Sequence, residues 1–266
     1  MIKLNWLEEI ITYTIYSPFV KGESPVSLLI ISDVESGKTK MLEKFKDSPS
    51  VLYMSDFTRY GLYHDYFPGI KSGEYRTIIV PDIVALTYGK GAHATEGVIS
   101  FLNSVTEEGL SAISTFNISV SFDKPIMLGF IGAIPSGVFR DQRSSWHKMG
   151  FISRTLPISY SVSKQTVEEI LEYIMKKEHA NEPTKIVSRP DKDIAIKLDS
   201  KLARELLPMT QKIAGAIGTY GFRLQRHLQV LAEARALSLG RDTVTTDDIQ
   251  RIKELAAWIN LDFKPI

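Results

Sequence analysis

The chain has 266 residues, 44% apolar and 24% charged, with 32 basic against 31 acidic side chains; this describes a globular protein in one large or two unequal domains and excludes long disorder or a global field drawing it to nucleic acid or anionic lipid. It has no cysteine, which removes disulfides, thiolate nucleophiles and Cys-ligated zinc and fits an intracellular protein. Met1-Ile2-Lys3-Leu4-Asn5-Trp6 opens no signal peptide and no apolar run reaches membrane-spanning length, so the expectation is a cytoplasmic protein with no membrane partner.

Leu4, Trp6, Leu7, Ile10, Ile11, Tyr13 and Ile15 recur at helical spacing until Pro18 and Gly22 end the run, which predicts a helix over 3–17. Ser27-Leu28-Leu29-Ile30-Ile31 then reads as a buried strand feeding Ser32-Asp33-Val34-Glu35-Ser36-Gly37-Lys38-Thr39. This loop matches the pattern G-x-x-x-x-G-K-[ST] at Gly37, Lys38 and Thr39, with Ser32 where the first glycine belongs. Backbone N–H groups at a helix N-terminus, backed by a lysine, bind the β- and γ-phosphates of a nucleotide, and the threonine hydroxyl is placed to ligate Mg²⁺. Asp33 and Glu35 bring negative charge into the loop, so their side chains must point away from a phosphate.

Val51-Leu52-Tyr53-Met54 and Thr77-Ile78-Ile79-Val80-Pro81-Asp82 are further strands separated by helix-length segments, the pattern of a parallel α/β sheet. The aromatics Phe57, Tyr60, Tyr63, Tyr66 and Phe67 between them read as packing of a helix on the sheet. Asp82 stands where a strand-end carboxylate holds Mg²⁺ through water. A helix over 97–105 leads through Thr106-Glu107-Glu108-Gly109 into two near-alternating runs around Asn117, a hairpin inserted in a crossover. Pro125 to Ala133 predicts a fourth core strand. Arg140, Arg143, His147, Lys148 and Arg154, interleaved with Phe139 and Trp146, form a basic cluster that suits a subunit interface better than a nucleic-acid contact. From about residue 163 only helices are expected: Val167 to Lys177, Ser200 to Thr219, Phe222 to Leu239 and Thr246 to Ile259. The five histidines have no metal-ligand spacing.

Taken together, these motifs resemble the AAA+ ATPases, and within them the branch with a hairpin inserted in the second helix, which includes minichromosome-maintenance helicases, MoxR-type chaperones and NtrC-type activators. The resemblance runs from about residue 20: Ser32 to Thr39 as phosphate loop, Thr77 to Asp82 as the Mg²⁺ strand, Ile126 to Gly137 as the strand carrying the first sensor, and Gly150-Phe151-Ile152-Ser153-Arg154 as the arginine-finger segment. Phe222-Arg223-Leu224 to Asp248-Ile249 resembles the helical lid. It implies an α/β P-loop nucleotide-binding domain over 1–163 and an all-helical lid over 164–266. Further implications are ATP and Mg²⁺ as cofactors, Thr39 and Asp82 at the metal, Arg154 reaching the γ-phosphate of a neighbouring subunit, and Arg223 contacting phosphates in cis. A role in trans requires a homo-oligomer, in this family usually a ring such as a hexamer.

Three positions depart from the family pattern. Ser32 replaces the first loop glycine, Ile83 follows Asp82 where a glutamate orients the attacking water, and Ile134 precedes Pro135 where a sensor asparagine or threonine belongs. Loss of a water-orienting group slows hydrolysis by orders of magnitude; Glu96, Glu107 and Glu108 are candidate substitutes, none selected by spacing. Two readings follow: an oligomeric ATPase that remodels DNA or protein–DNA complexes, and a non-hydrolysing, nucleotide-responsive adaptor of a larger assembly. A small-molecule kinase is disfavoured by the long helical region and the hairpin.

Overall fold

The computed structural model describes residues 2–87, 92–114, 119–178 and 182–266. The first helix, α1 (Asn5–Tyr16), buries Leu7, Ile10, Ile11 and Ile15. β1 (Ser27–Ser32) is buried along its whole length, as a strand covered on both faces must be. α2 (Lys38–Glu43) follows the loop, and β2 (Val51–Tyr53), α3 (Arg59–Gly61), α4 (Phe67–Ser72), β3 (Thr77–Val80), α5 (Val84–Thr87) and α6 (Ala92–Asn103) complete the first crossovers. α6 continues as a π-helical turn, Ser104–Glu108. The antiparallel pair β4 (Leu110–Ser114) and β5 (Ser119–Ile126) stands apart from the main sheet, and the expected turn at Asn117 lies outside the described residues.

β6 (Gly129–Pro135), α7 (Ser136–Lys148), α8 (Phe151–Arg154) and β7 (Leu156–Ser161) follow, then α9 (Lys164–Met175), α10 (Ser200–Arg204), α11 (Leu207–Ile217), α12 (Phe222–Ser238), α13 (Thr246–Ala256) and a two-residue β8 (Lys264–Pro265). The main sheet runs in the order β2-β3-β6-β1-β7-β8, and every pairing in it is parallel. Alternation along β1 sends Leu28 and Ile30 to one face and Leu29 and Ile31 to the other. Each such side chain contributes about 1.5–3 kcal/mol on burial. On the first face α1, α2 and the C-terminal helices α11 to α13 share one continuous core; on the second lie α4, α6, α7 and α8.

Three expectations are corrected. Pro125 and Ile126 belong to the hairpin, and the sheet strand begins at Gly129, whose N–H donates to the Arg76 carbonyl at 2.9 Å. The helix expected over Ser200 to Thr219 breaks between Arg204 and Leu207, because Pro208 offers no N–H and its ring clashes with the carbonyl four residues back. The region after 163 also includes β8, which returns the chain to β7. Of the aromatics near Phe57, Phe57 and Phe67 are core, Phe57 meeting Phe101 edge-on at 6.2 Å, while Tyr60 is exposed.

α13 begins at a buried carboxylate. Asp248 accepts from the Thr245 N–H at 2.8 Å and from Arg241 at 2.7 and 2.6 Å, and also pairs with Arg235. Burial alone would raise its pKa, but the Arg241, Thr245 and Arg235 donors pull it down to about 2. On α12, burial and the nearby Glu23 push the buried Glu233 up to about 7. Glu233 therefore holds its proton more tightly folded than unfolded, so its stabilising contribution is complete below about 4.5 and is lost as pH rises to about 7. Glu233→Gln is expected to match wild type near the acid end of that window and to melt roughly 2–4 °C higher above it; parallel pH dependences of the two proteins in thermal denaturation would refute this.

Candidate functional site

In a parallel sheet every strand delivers its following loop to the same edge. The Ser32–Thr39 loop after β1, Asp82 after β3 and Ser136 after β6 therefore collect at the carboxyl edge. The loop backbone turns through left-handed conformations at Glu35 (φ +63°) and Gly37 (φ +87°), the alternation that forms an anion-binding nest of N–H groups. Gly37 adopts its angle without a Cβ clash; Glu35 tolerates one, with its side chain exposed. Tyr160 of β7 is buried and donates from its hydroxyl to the Ser36 carbonyl at 3.1 Å; burial pushes its phenol up to about 12, so the proton stays on the oxygen.

Lys38 is buried at the start of α2. Its Nζ donates to the Ser32 carbonyl at 2.9 Å, the Asp33 carbonyl at 2.5 Å and the Ser36 hydroxyl at 3.1 Å. Burial lowers the ammonium to about 8, partly opposed by the carboxylates of Asp33 and Asp82. Asp82 is thus close enough to Lys38 to be felt electrostatically, although β6 lies between their strands. Its Oδ1 accepts from the Val84 N–H at 2.9 Å and its carboxylate is otherwise exposed, as is Thr39 one residue beyond Lys38. A hydroxyl and a carboxylate are the hard oxygen donors that Mg²⁺ takes alongside water. Ser32 is wholly buried as the last residue of β1, opposite Pro135, while Val34 at the loop tip is exposed.

The Asp33 carboxylate is held from outside the loop. The Ser136 hydroxyl at the start of α7 donates to its Oδ1, so the loop is tied to β6 by a residue the sequence motif does not include. A polar residue directly after the apolar run of β6 is the signal that marks Ser136; nothing in the sequence marks Tyr160.

Ile83 and Ile134 are fully buried in the core on the second face. The Ile83 N–H donates to the Ala133 carbonyl at 2.8 Å, and its side chain packs over Gly132, where an added Cβ would collide with Ile83 and Phe130. Neither side chain can orient a water.

Arg154 and Arg223 converge on Glu107, not on Lys38. Leu156 pairs with Leu28, so Arg154 lies roughly 15–20 Å behind Ser32 along the strand direction, at the amino edge. Its Nε sits 2.7 Å from Glu107 and its NH2 donates to Glu108 at 2.6 Å. Arg223, expected to reach phosphates of its own chain, pairs with Glu107 and donates to the Ser153 hydroxyl at 3.3 Å. Glu107 and Glu108, candidates for the missing base, are occupied by these arginines. Phe139 and Trp146 of the basic cluster are core. Among the described residues no group of three histidines, aspartates or glutamates could hold a metal, and no helix is long and apolar enough to cross a membrane.

The chain matches no family model and no curated protein sequence. The class that fold and site define is an α/β protein with a parallel sheet flanked by helices and a C-terminal helical region.

Glu107 bridges two guanidinium groups, so its removal leaves Arg154 and Arg223 poorly compensated. Glu107→Gln is expected to destabilise by about 1–3 kcal/mol in chemical denaturation, and a double-mutant cycle with Arg223→Gln to return a coupling above about 0.5 kcal/mol; strict additivity would show that the pair is only a surface contact.

Proposed function

We propose that this chain is an AAA+-like, ATP-binding protein that works as an oligomer, binding ATP with Mg²⁺ on the Ser32–Thr39 loop and completing that site with Arg154 and Arg223 of a neighbouring copy. One observation carries the reading. The nest, Lys38, Thr39 and Asp82 gather at the carboxyl edge, while the two arginines suited to a γ-phosphate gather at the opposite edge, out of reach of their own loop.

The residues have separable tasks. The nest and Lys38 bind the β- and γ-phosphates, for which Lys38 exchanges carbonyl partners for phosphate oxygens. Thr39 and Asp82 would hold Mg²⁺, which when bound neutralises charge between those phosphates. Tyr160 and the Ser136–Asp33 bond hold the loop in shape. Arg154 and Arg223, presented to the next copy, neutralise charge that develops as the γ-phosphoryl leaves. Within one chain Glu107 and Glu108 hold them, so engagement in trans exchanges these carboxylates for phosphate.

The leading reading is mechanical remodelling of DNA or a protein–DNA complex, supported by the β4–β5 hairpin that resembles the helicase branch. The burial of Ile83 and Ile134 favours a second, a nucleotide-responsive adaptor that hydrolyses slowly or not at all.

Binding and turnover are measured on the same preparations. Lys38→Ala is expected to weaken ATP binding about 10- to 100-fold, the value of a charge-assisted bond. Affinity should also fall as pH rises past about 8, where Lys38 loses its charge. Arg154→Ala should keep binding and lose turnover by about 10³-fold or more. Turnover that rises with protein concentration and with DNA supports the motor, and tight binding without turnover the adaptor. Unchanged binding by Lys38→Ala would overturn both.

A further inference from the structure

On α12, Gln225, Gln229 and Glu233 recur every fourth residue and so lie in one stripe along the helix. The stripe faces a cavity of about 530 Å³, bounded on its other sides by Glu23 of the loop before β1 and by Leu198, Ala203, Arg204 and Leu207 of α10 and its flanks. Small-molecule pockets span about 300–1,000 Å³. Gln225 fastens this wall: its Oε1 accepts from the Thr210 hydroxyl at 2.6 Å and its Nε2 donates to the Ala203 carbonyl at 3.1 Å, which ties α12 to α10 and α11.

Glu233 is the anomaly in this wall. It is only 8% exposed and its Oε2 is buried with no hydrogen-bond partner, although a buried carboxylate is costly unless it is paired. Burial and the Glu23 charge push its carboxyl up to about 7, and no lysine or arginine among the described residues pairs with it. Glu23 accepts from Arg226 at 3.0 Å through Oε2 alone, which leaves its Oε1 without a donor among the described residues. Two carboxylates therefore line one cavity with acceptor oxygens to spare. Across from them Arg204 is exposed, with no ion pair among the described residues, and Leu198, Ala203 and Leu207 add an aliphatic surface.

These groups define the chemistry of an occupant. Carboxylates without donors call for a cation, and two of them are too few for a metal ion, which takes about six oxygens; no group of three metal-binding side chains occurs among the described residues. An ammonium brings three N–H donors on a compact charge. The guanidinium of Arg204 calls for a carboxylate at the other end, and the aliphatic surface for an apolar body. We propose that this cavity binds a free aliphatic α-amino acid, with its ammonium between Glu233 and Glu23, its carboxylate on Arg204 and its side chain against Leu198, Ala203 and Leu207. A nucleotide is a poor occupant, since its phosphates would meet Glu23 and Glu233. The cavity shares no lining residue with the Ser32–Thr39 loop or with Asp82, so the amino-acid site stands whether or not the loop binds ATP.

Equilibrium dialysis of the full chain against labelled leucine, with unlabelled butylamine and butyrate as competitors, tests this. Leucine is expected to be retained, and butylamine, which lacks the carboxylate, and butyrate, which lacks the ammonium, to compete at least about tenfold more weakly than unlabelled leucine. Glu233→Gln, which keeps the shape of the side chain, and Arg204→Ala, at an exposed position, should each weaken leucine binding at least about tenfold, with the fold of both checked by circular dichroism. No retention of leucine at about 1 mM overturns the proposal and leaves the cavity to water. Unchanged binding in either variant also overturns it, and butylamine competing as well as leucine overturns it in favour of a plain amine. Lys38→Ala separates this site from the phosphate loop: leucine retained by that variant supports the cavity, and leucine lost from it would place the amino acid at the loop and overturn the assignment.

Discussion

The common direction of the strands is the constraint from which the rest of this molecule follows. Because β1, β3, β6 and β7 are parallel, every strand-to-helix loop falls at one edge and every helix-to-strand connection at the other. The sheet therefore sorts chemistry by sequence position relative to a strand: Lys38, Asp82 and Ser136 follow strands, whereas Arg154 precedes one. No rotamer change moves Arg154 the length of β7, so a site that uses both edges is a site between two molecules.

One ionic knot braces the helical region internally and a second fastens it to this frame. At the base of α13, Asp248 is surrounded by Arg235, Arg241 and Thr245, and Arg235 lies on α12, so one carboxylate joins two helices of the same core. At the amino edge Glu107 joins Arg154 of α8 to Arg223 of α12, linking the end of α6 to the C-terminal helices. The first is buried and has full compensation; breaking such a site costs several kcal/mol. The second is partly exposed and therefore the weaker of the two.

The sheet strands were legible because burial on both faces imposes long aliphatic runs, and the tight turn after β1 because Gly37 marks a left-handed position. Legibility failed where tertiary contacts overrule local pattern. Ile126 is as apolar as Ile131, yet it pairs in the hairpin; only the partner strand decides. The break before Leu207 is written in Pro208 and could have been read from it. Arg223 could be placed on a helix from sequence, but its edge of the sheet depended on how α12 crosses α8, a packing relation with no local signature. Tyr160 looks like one more core aromatic until its hydroxyl is seen under Ser36.

Ile83 and Ile134 are fixed by packing. Gly132 leaves a gap on β6, and Ile83 fills it; a glutamate in that place would bury a carboxylate among Phe130, Ile134 and Leu86, all fully buried, at a cost of several kcal/mol. The position is therefore part of the core, and a glutamate placed there would destabilise this edge of the sheet. The Ser32–Thr39 loop is under no such constraint, since Thr39 and Asp82 are exposed and Lys38 bonds to carbonyls of its own loop. The groups at the carboxyl edge and those of this core face are thus physically separate, so a substitution in one need not disturb the other.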